Sequence, residues 1–169
     1  MRIWPYQMLL ILPTRQLVSQ WRECLAISGM IYGDGNKSLD NINHATINRI
    51  KNYPLEHFAA YCDLVRLAFA KREFIIGTNT IEKLNNNIDY ENLNYNLDYK
   101  ISNNIIYSAI VKTGNNNEFL WENFHNDRYL KQCLYMFQEK HDVDMLYNNE
   151  WGNLINNFHN FGKFKDIEV

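Results

Sequence analysis

The sequence predicts a mainly α, compact single-domain helical bundle with long loops, in which residues 1–169 form one unit. Two observations lead to this prediction. Apolar residues recur at intervals of three and four over several segments, which is the period of an amphipathic α-helix. The chain has 169 residues, of which 46% are hydrophobic and 14% aromatic, so it can bury one core and lies in the usual size range of one domain.

The first predicted helix begins at Thr14, a favourable N-cap residue after Pro13, and ends at Gly29. One of its faces is largely apolar and contains Leu17, Val18, Trp21, Cys24, Leu25 and Ser28. The opposite face carries, at intervals of three or four, Arg15, Ser19, Arg22 and Ala26. Glu23 lies beside this second face, which is suited to lining a groove that holds backbone phosphates.

Three further segments complete the first half of the chain. Gly33-Asp34-Gly35-Asn36 is typical of a turn and loop. A short helix is expected from Ala45 to Asn52. Pro54 precedes the most apolar helix, Leu55 to Lys71, which is predicted to be the central buried helix.

The second half has weaker patterns. Asn79-Thr80-Ile81-Glu82 is typical of a capping box at the start of a short helix. The run from Ile105 to Val111 suits either a strand or a buried segment of another kind. Asn126 or Asp127 is expected to cap a longer helix, and another short helix is expected from Glu150 to Phe158.

The charge is divided unevenly along the chain. The net charge is -2, but residues 1–75 carry nine Lys and Arg against six Asp and Glu, while residues 76–169 carry eight against thirteen. A surface for a polyanion such as DNA is therefore expected on the N-terminal half. Solvated charges on helix faces are the alternative interpretation.

The cysteines and the apolar segments indicate an intracellular protein. Cys24, Cys62 and Cys133 are odd in number and contain no C-x-x-C pair, which excludes a disulfide framework and a zinc ribbon. The apolar run from Ile3 to Leu12 is too short to span a bilayer, and we expect a buried segment and no membrane association. His141 and the two aspartates after it are expected to form a turn, and no metal or cofactor is expected.

Three patches resemble the pyrimidine-dimer DNA glycosylase family, also called phage-type endonuclease V, and in particular its bacterial branch. The most specific patch runs from Leu12 to Gly29 and contains the pair Arg22-Glu23. A second runs from His44 to Tyr61. The third is made of His125, Tyr129, Leu130 and Cys133. Just before the position of His44, the bacterial branch has a Trp-Gly pair and two basic residues. This chain has Tyr32-Gly33 and a polar stretch there.

This resemblance implies a helical fold of the endonuclease V type and a combined DNA glycosylase and abasic-site lyase. The implied nucleophile is the α-amine of Met1, which we expect to be retained because Arg2 follows it and whose ordinary pKa is about 7.7–8.0. Glu23 is the implied acid-base partner. The charge distribution makes Arg2, Arg15, Arg22, Arg49 and Lys51 the candidate phosphate contacts, and the resemblance adds His44 as a candidate DNA contact. The expected partner is damaged double-stranded DNA, bound by a monomer.

Two other functions agree with the same residues. A damaged-DNA-binding module that has lost catalysis would explain the missing basic pair and the net acidity. A protein-protein adaptor would use the acidic C-terminal half to bind a basic partner. The aromatic and basic tail from Phe158 to Lys165 could either contact DNA or pack on its own core.

Overall fold

The computed structural model describes residues 2–33 and 44–169. Its helices, in chain order, are α1 (Thr14–Ile31), α2 (Ala45–Lys51), α3 (Leu55–Lys71), α4 (Thr78–Ile88), α5 (Asp127–Asp142) and α6 (Asn148–Phe161). Its strands are β1 (Asn96–Ser102), β2 (Ile105–Thr113) and β3 (Asn116–Phe119). Within these ranges, every helix is too short or too polar to span a lipid bilayer.

The prediction of a helical bundle is wrong, because the fold is mixed α/β. The three strands form an antiparallel sheet in the order β1-β2-β3. Asn103 and Asn104, both with positive φ, make the turn between β1 and β2, and Gly114 with φ 56° lies in the next turn. Two-residue turns of this kind favour asparagine and glycine, which explains why Asn103 and Asn104 occupy this hairpin turn. The run from Ile105 to Val111, for which the sequence left a strand or another buried segment open, is a strand and forms most of β2.

Helix α3 is the central buried helix, as the sequence predicts. It begins and ends where expected, and its fully buried side chains include Phe58, Tyr61 and Val65. Helix α1 packs against both α3 and α4. The cysteines 24, 62 and 133 are all free and buried, so the core contains three thiols.

Helix α1 has the two faces that its sequence predicts. Leu17, Trp21 and Cys24 are buried, whereas Arg15 and Arg22 are exposed. Its ends differ from the prediction. Pro13 occupies the N-cap position, no side chain caps the helix, and the last helical residue is Ile31.

The C-terminal segment packs on its own core. The fully buried ring of Phe158 contacts the ring of Phe164 at a centroid distance of 5.6 Å. Lys163 Nζ forms an ion pair with Asp127 Oδ1 at 2.7 Å, which ties the tail to the start of α5. At that start, Asn126 is the N-cap, and its Oδ1 accepts the backbone N–H of Tyr129. The tail is thus part of the folded domain.

Candidate catalytic and nucleic-acid-binding site

Three helices hold the backbone of residues 2–4. Oε1 of Gln20 on α1 accepts a hydrogen bond from the backbone N–H of Trp4 at 2.7 Å. The hydroxyl of Tyr61 on α3 donates to the carbonyl of Trp4 at 2.7 Å. The hydroxyl of Tyr129 on α5 donates to the carbonyl of Ile3, also at 2.7 Å. The path of the N-terminal segment is therefore fixed from three sides, with Gln20 itself almost fully buried.

Glu23 lies one helical turn beyond Gln20. Residues three apart on an α-helix are neighbours on the surface, with Cβ atoms about 5–6 Å apart. The Glu23 side chain is half-buried and makes no hydrogen bond or ion pair with the part of the chain that the structure describes. Among residues 2–33 and 44–169, this carboxylate therefore has no partner, and it lies one helical turn from the residue that holds the N-terminal segment.

Met1, the expected nucleophile, lies outside the described residues, as does most of the loop predicted at residues 33–36. The described chain begins at Arg2, whose carbonyl accepts a hydrogen bond from Gln20 Nε2 at 3.4 Å. The Arg2 guanidinium lies over the Trp4 ring at 5.5 Å from its centroid. Arg2 is therefore part of the held segment and places a guanidinium next to the Trp4 ring.

Two arginines from distant parts of the sequence flank Tyr129. Burial raises the pKa of the Tyr129 hydroxyl, while the positive charges of Arg2 and Arg49 act in the opposite direction. Arg49 on α2 also lies over the ring of Phe124, at 5.3 Å from its centroid. The two cationic side chains near Tyr129 thus come from the N-terminal segment (Arg2) and from α2 (Arg49).

The other predicted DNA-binding residues lie on α1 and α2. Arg22 is exposed and has no hydrogen bond or ion pair within the described ranges, while Arg15 Nη2 donates to the carbonyl of Met145 at 3.4 Å. Lys51 is exposed at the end of α2. His44 is the N-cap of α2, where its Nδ1 accepts the N–H of Thr46 at 3.1 Å, so one ring nitrogen has a structural role.

A cleft of about 320 Å³ lies next to Arg49. Its lining consists of Arg49, Asn52, Tyr53, Asn123 and Phe124. The hydroxyl of Tyr53 accepts the N–H of Asn123 at 3.0 Å, which joins α2 to the segment before α5. Amides, aromatic rings and one guanidinium in a cleft of this size are suited to contacts with a planar polar group.

His125 is a structural residue behind the site. Its Nδ1 accepts the N–H of Tyr6 at 3.1 Å, and its carbonyl accepts Gln7 Nε2 at 2.9 Å. Its ring stacks on that of Tyr129 at a centroid distance of 5.6 Å. Burial lowers the pKa of His125 well below its ordinary value, and Arg49 lowers it further, so the ring is neutral. A neutral His125 supports Tyr129 from behind.

The sequence did not identify Gln20, and it gave no role to Tyr61 or Tyr129 beyond their place in the resembling patches. The available signal for Gln20 was its position on the line of Leu17 and Cys24, where a polar side chain interrupts an apolar face. That Gln20 binds the backbone of Trp4 could be learned only from the tertiary structure.

These features define a class of protein in which a helix that holds a fixed N-terminal segment also carries a carboxylate with no partner in the described ranges, together with exposed arginines. Residues 1–82 match the family model described as pyrimidine dimer DNA glycosylase. This is a partial match to that family over the N-terminal half, as the sequence indicated. Comparison with curated proteins and with solved structures gives no significant match.

Proposed function

We propose that this protein is a DNA glycosylase with abasic-site lyase activity, acting on damaged DNA of the pyrimidine-dimer type. The observation that carries the proposal is that residues 2–4 are held one helical turn from Glu23, whose carboxylate has no partner among the residues that the structure describes. The family match over residues 1–82, which includes both, supports the substrate class.

In the proposed first stage, the unprotonated α-amine of Met1 attacks C1′ of the damaged nucleotide. The bond from C1′ to the base breaks, and the base leaves with the bonding electron pair and takes up a proton. The sugar ring then opens as the C1′=N bond of a Schiff base forms. The carboxylate of Glu23 orients the amine and stabilises the positive charge that develops on the sugar.

In the proposed second stage, Glu23 accepts a proton from C2′. The electron pair of the broken C2′–H bond forms a C2′=C3′ double bond conjugated with C1′=N, and the C3′–O bond breaks as the phosphate leaves with its electron pair. Glu23 has no other partner within the described ranges, which leaves both of its oxygens free for this transfer. The result is β-elimination and a strand break at the abasic site.

The proposed DNA surface consists of the exposed arginines of α1 together with Arg2, Arg49 and Lys51. The face of α1 that carries Arg15 and Arg22 also carries the small, exposed Ser19, which leaves room for a strand to approach. Cationic side chains that neutralise phosphates make binding depend on salt. His44 can contribute only through Nε2, because Nδ1 is used as a helix cap.

The decisive experiment is trapping with borohydride. Untagged protein is incubated with a duplex that contains one abasic site, and a covalent adduct that maps to Met1 is expected. Glu23→Gln is expected to slow strand cleavage by about a hundredfold or more, because it removes the group that moves protons. Glu139→Gln, on the exposed side of α5, is the matched control and should cleave at the wild-type rate.

A damaged-DNA-binding module without catalysis is the second candidate. The observation in its favour is the segment after Tyr32-Gly33, which lacks the basic pair of the bacterial branch. The same experiment separates the two functions. Binding to damaged duplex without any trapped adduct, by a folded chain with a native N-terminus, would support the module and contradict the lyase.

A further inference from the structure

Strand β1 forms one edge of the sheet. Within the described ranges its single partner strand is β2, so the other edge of β1 has no strand beside it. The irregularity between Lys100 and Ile101 arises because β2 contributes one extra residue, Tyr107, so β1 itself continues without interruption. Side chains along β1 therefore alternate between the two faces of the sheet over its whole length.

The sequence of β1 is complementary to itself when read in the opposite direction. An antiparallel pairing of two copies centred on Tyr99 places Asp98 of each chain opposite Lys100 of the other. The same register places Leu97 opposite Ile101 and Asn96 opposite Ser102. Apolar side chains therefore face apolar ones, and polar side chains face polar ones. Cross-strand pairs of these kinds stabilise antiparallel sheets.

The side chains involved are accessible. Asp98 and Lys100 are exposed, and Lys100 has no ion pair or hydrogen bond among the residues that the structure describes. Asp98 has one ion pair within its own chain, with Lys112 Nζ at 3.4 Å, and its side chain remains 51% exposed. A second lysine can therefore approach Asp98 from the free edge.

The opposite face of β1 is incompletely covered. Leu97 and Tyr99 line an open cleft of about 470 Å³ against α3, together with Phe69, Phe74 and Ile81. Tyr99 is 40% exposed. A second strand at the edge would cover the apolar side chains of this face as well as satisfy the free backbone groups of β1.

We propose that β1 is a homodimerisation edge, at which two copies of this chain pair antiparallel about Tyr99 to form a continuous six-stranded sheet. The occupant is a second copy because the charge pattern of β1 complements itself. This replaces the expectation of a monomer, and it is independent of the proposed catalytic function because the edge lies outside the candidate site.

The first test reverses charges in the full-length chain. Lys100→Asp places like charges opposite each other at two positions, so we expect the dissociation constant of the dimer to rise by about tenfold. Asp98→Lys should do the same. Lys165→Asp, on the exposed C-terminal tail, changes the net charge equally and should leave the dimer unchanged. The measurement is sedimentation velocity over a concentration series.

An equimolar mixture of the two variants provides the stringent part of this test. Each chain then meets the opposite charge on its partner, so the mixture should form a heterodimer with about the wild-type affinity, whereas each variant alone should associate about tenfold more weakly. Failure of the mixture to associate would overturn the proposal, as would a wild-type chain that stays monomeric up to ~1 mM.

The second test is a cross-link. Directly opposed residues of antiparallel strands have Cα atoms about 4.5 or 5.5 Å apart, within the reach of a disulfide. Tyr99→Cys should therefore form a disulfide-linked dimer under mild oxidation. Tyr107→Cys is the matched control, because Tyr107 is 44% exposed but lies on the central strand. Equal cross-linking of the two variants would contradict the pairing.

Discussion

The part of the chain that matches the family model and the part beyond it contribute to the candidate site in different ways. Residues 2–82 supply the fixed segment, the free carboxylate and the exposed arginines. Residues 83–169 carry most of the acidic charge, yet α5 supplies the Tyr129 hydroxyl that holds Ile3. A match to half of a chain therefore does not mark the limits of its site, because the second half supplies one of the three side chains that hold the N-terminal segment.

The largest effect that tests this comparison is expected from Tyr129→Phe. The change removes one hydroxyl and leaves the carbonyl of Ile3 without its partner. A buried acceptor left unsatisfied costs about 1–3 kcal/mol, and we expect the free energy of unfolding to fall by this amount in urea titrations. Misplacement of the N-terminal segment should also lower the rate of strand cleavage by about tenfold, with little change in DNA affinity.

Tyr135→Phe is the control for Tyr129→Phe, because Tyr135 lies on the exposed side of α5. It should change neither the stability nor the cleavage rate. A Tyr129→Phe variant that unfolds more easily but cleaves at the wild-type rate would show that the second half supports the fold and not the site.

The second prediction concerns His125 and the pH dependence of stability. Its pKa is lowered in the folded chain by burial and by Arg49, so the unfolded chain binds a proton more readily. Stability is then complete above the ordinary histidine pKa of about 6.5 and is lost as the pH falls below it, by at most about 1.4 kcal/mol per pH unit. His57, whose pKa is lowered mainly by burial although Glu118 raises it, adds to this loss.

The check is a series of urea titrations between neutral and mildly acidic pH. His125→Asn should have a shallower pH slope than the wild type, although it is less stable at neutral pH. If the slopes were equal, the buried histidine would not be the group that couples protonation to folding.

The smallest effect in this comparison is expected from Arg22→Ala, in the first half. Loss of one phosphate contact should weaken binding to any duplex about equally and reduce the salt slope of the binding constant by about 1. Lys165→Ala, in the acidic second half, should leave the slope unchanged. The measurement is fluorescence anisotropy over a series of salt concentrations. If the binding constants of the two variants depended equally on salt, the two halves of the chain would not differ in their contacts with DNA.

The sequence predicted those parts of the fold that depend on local pattern. Helix α3 follows from its apolar periodicity and Pro54, and the exposed face of α1 follows from the spacing of its arginines. The hairpin of β1 and β2 was missed because two asparagines with positive φ form its turn, and a turn of this kind has the composition of a loop.

The candidate site could be predicted only in part. Glu23 was identified through the resemblance, and the structure adds that it has no hydrogen bond or ion pair with the described part of the chain. The hydrogen bonds of Gln20, Tyr61 and Tyr129 to the N-terminal segment join residues 16, 57 and 126 positions apart. The residue pattern within one helix cannot predict these hydrogen bonds, because they depend on how the helices pack against the N-terminal segment.

The long separation between Tyr129 and Ile3 has a consequence for the order of events during synthesis. Ile3 is synthesised well before Tyr129, one of the three groups that hold this segment, because Tyr129 lies 126 residues later in the chain. Contacts between residues so far apart in sequence form late, because a long loop must close before they are made. The segment that Gln20 and Tyr129 hold is therefore synthesised long before it can reach its final position.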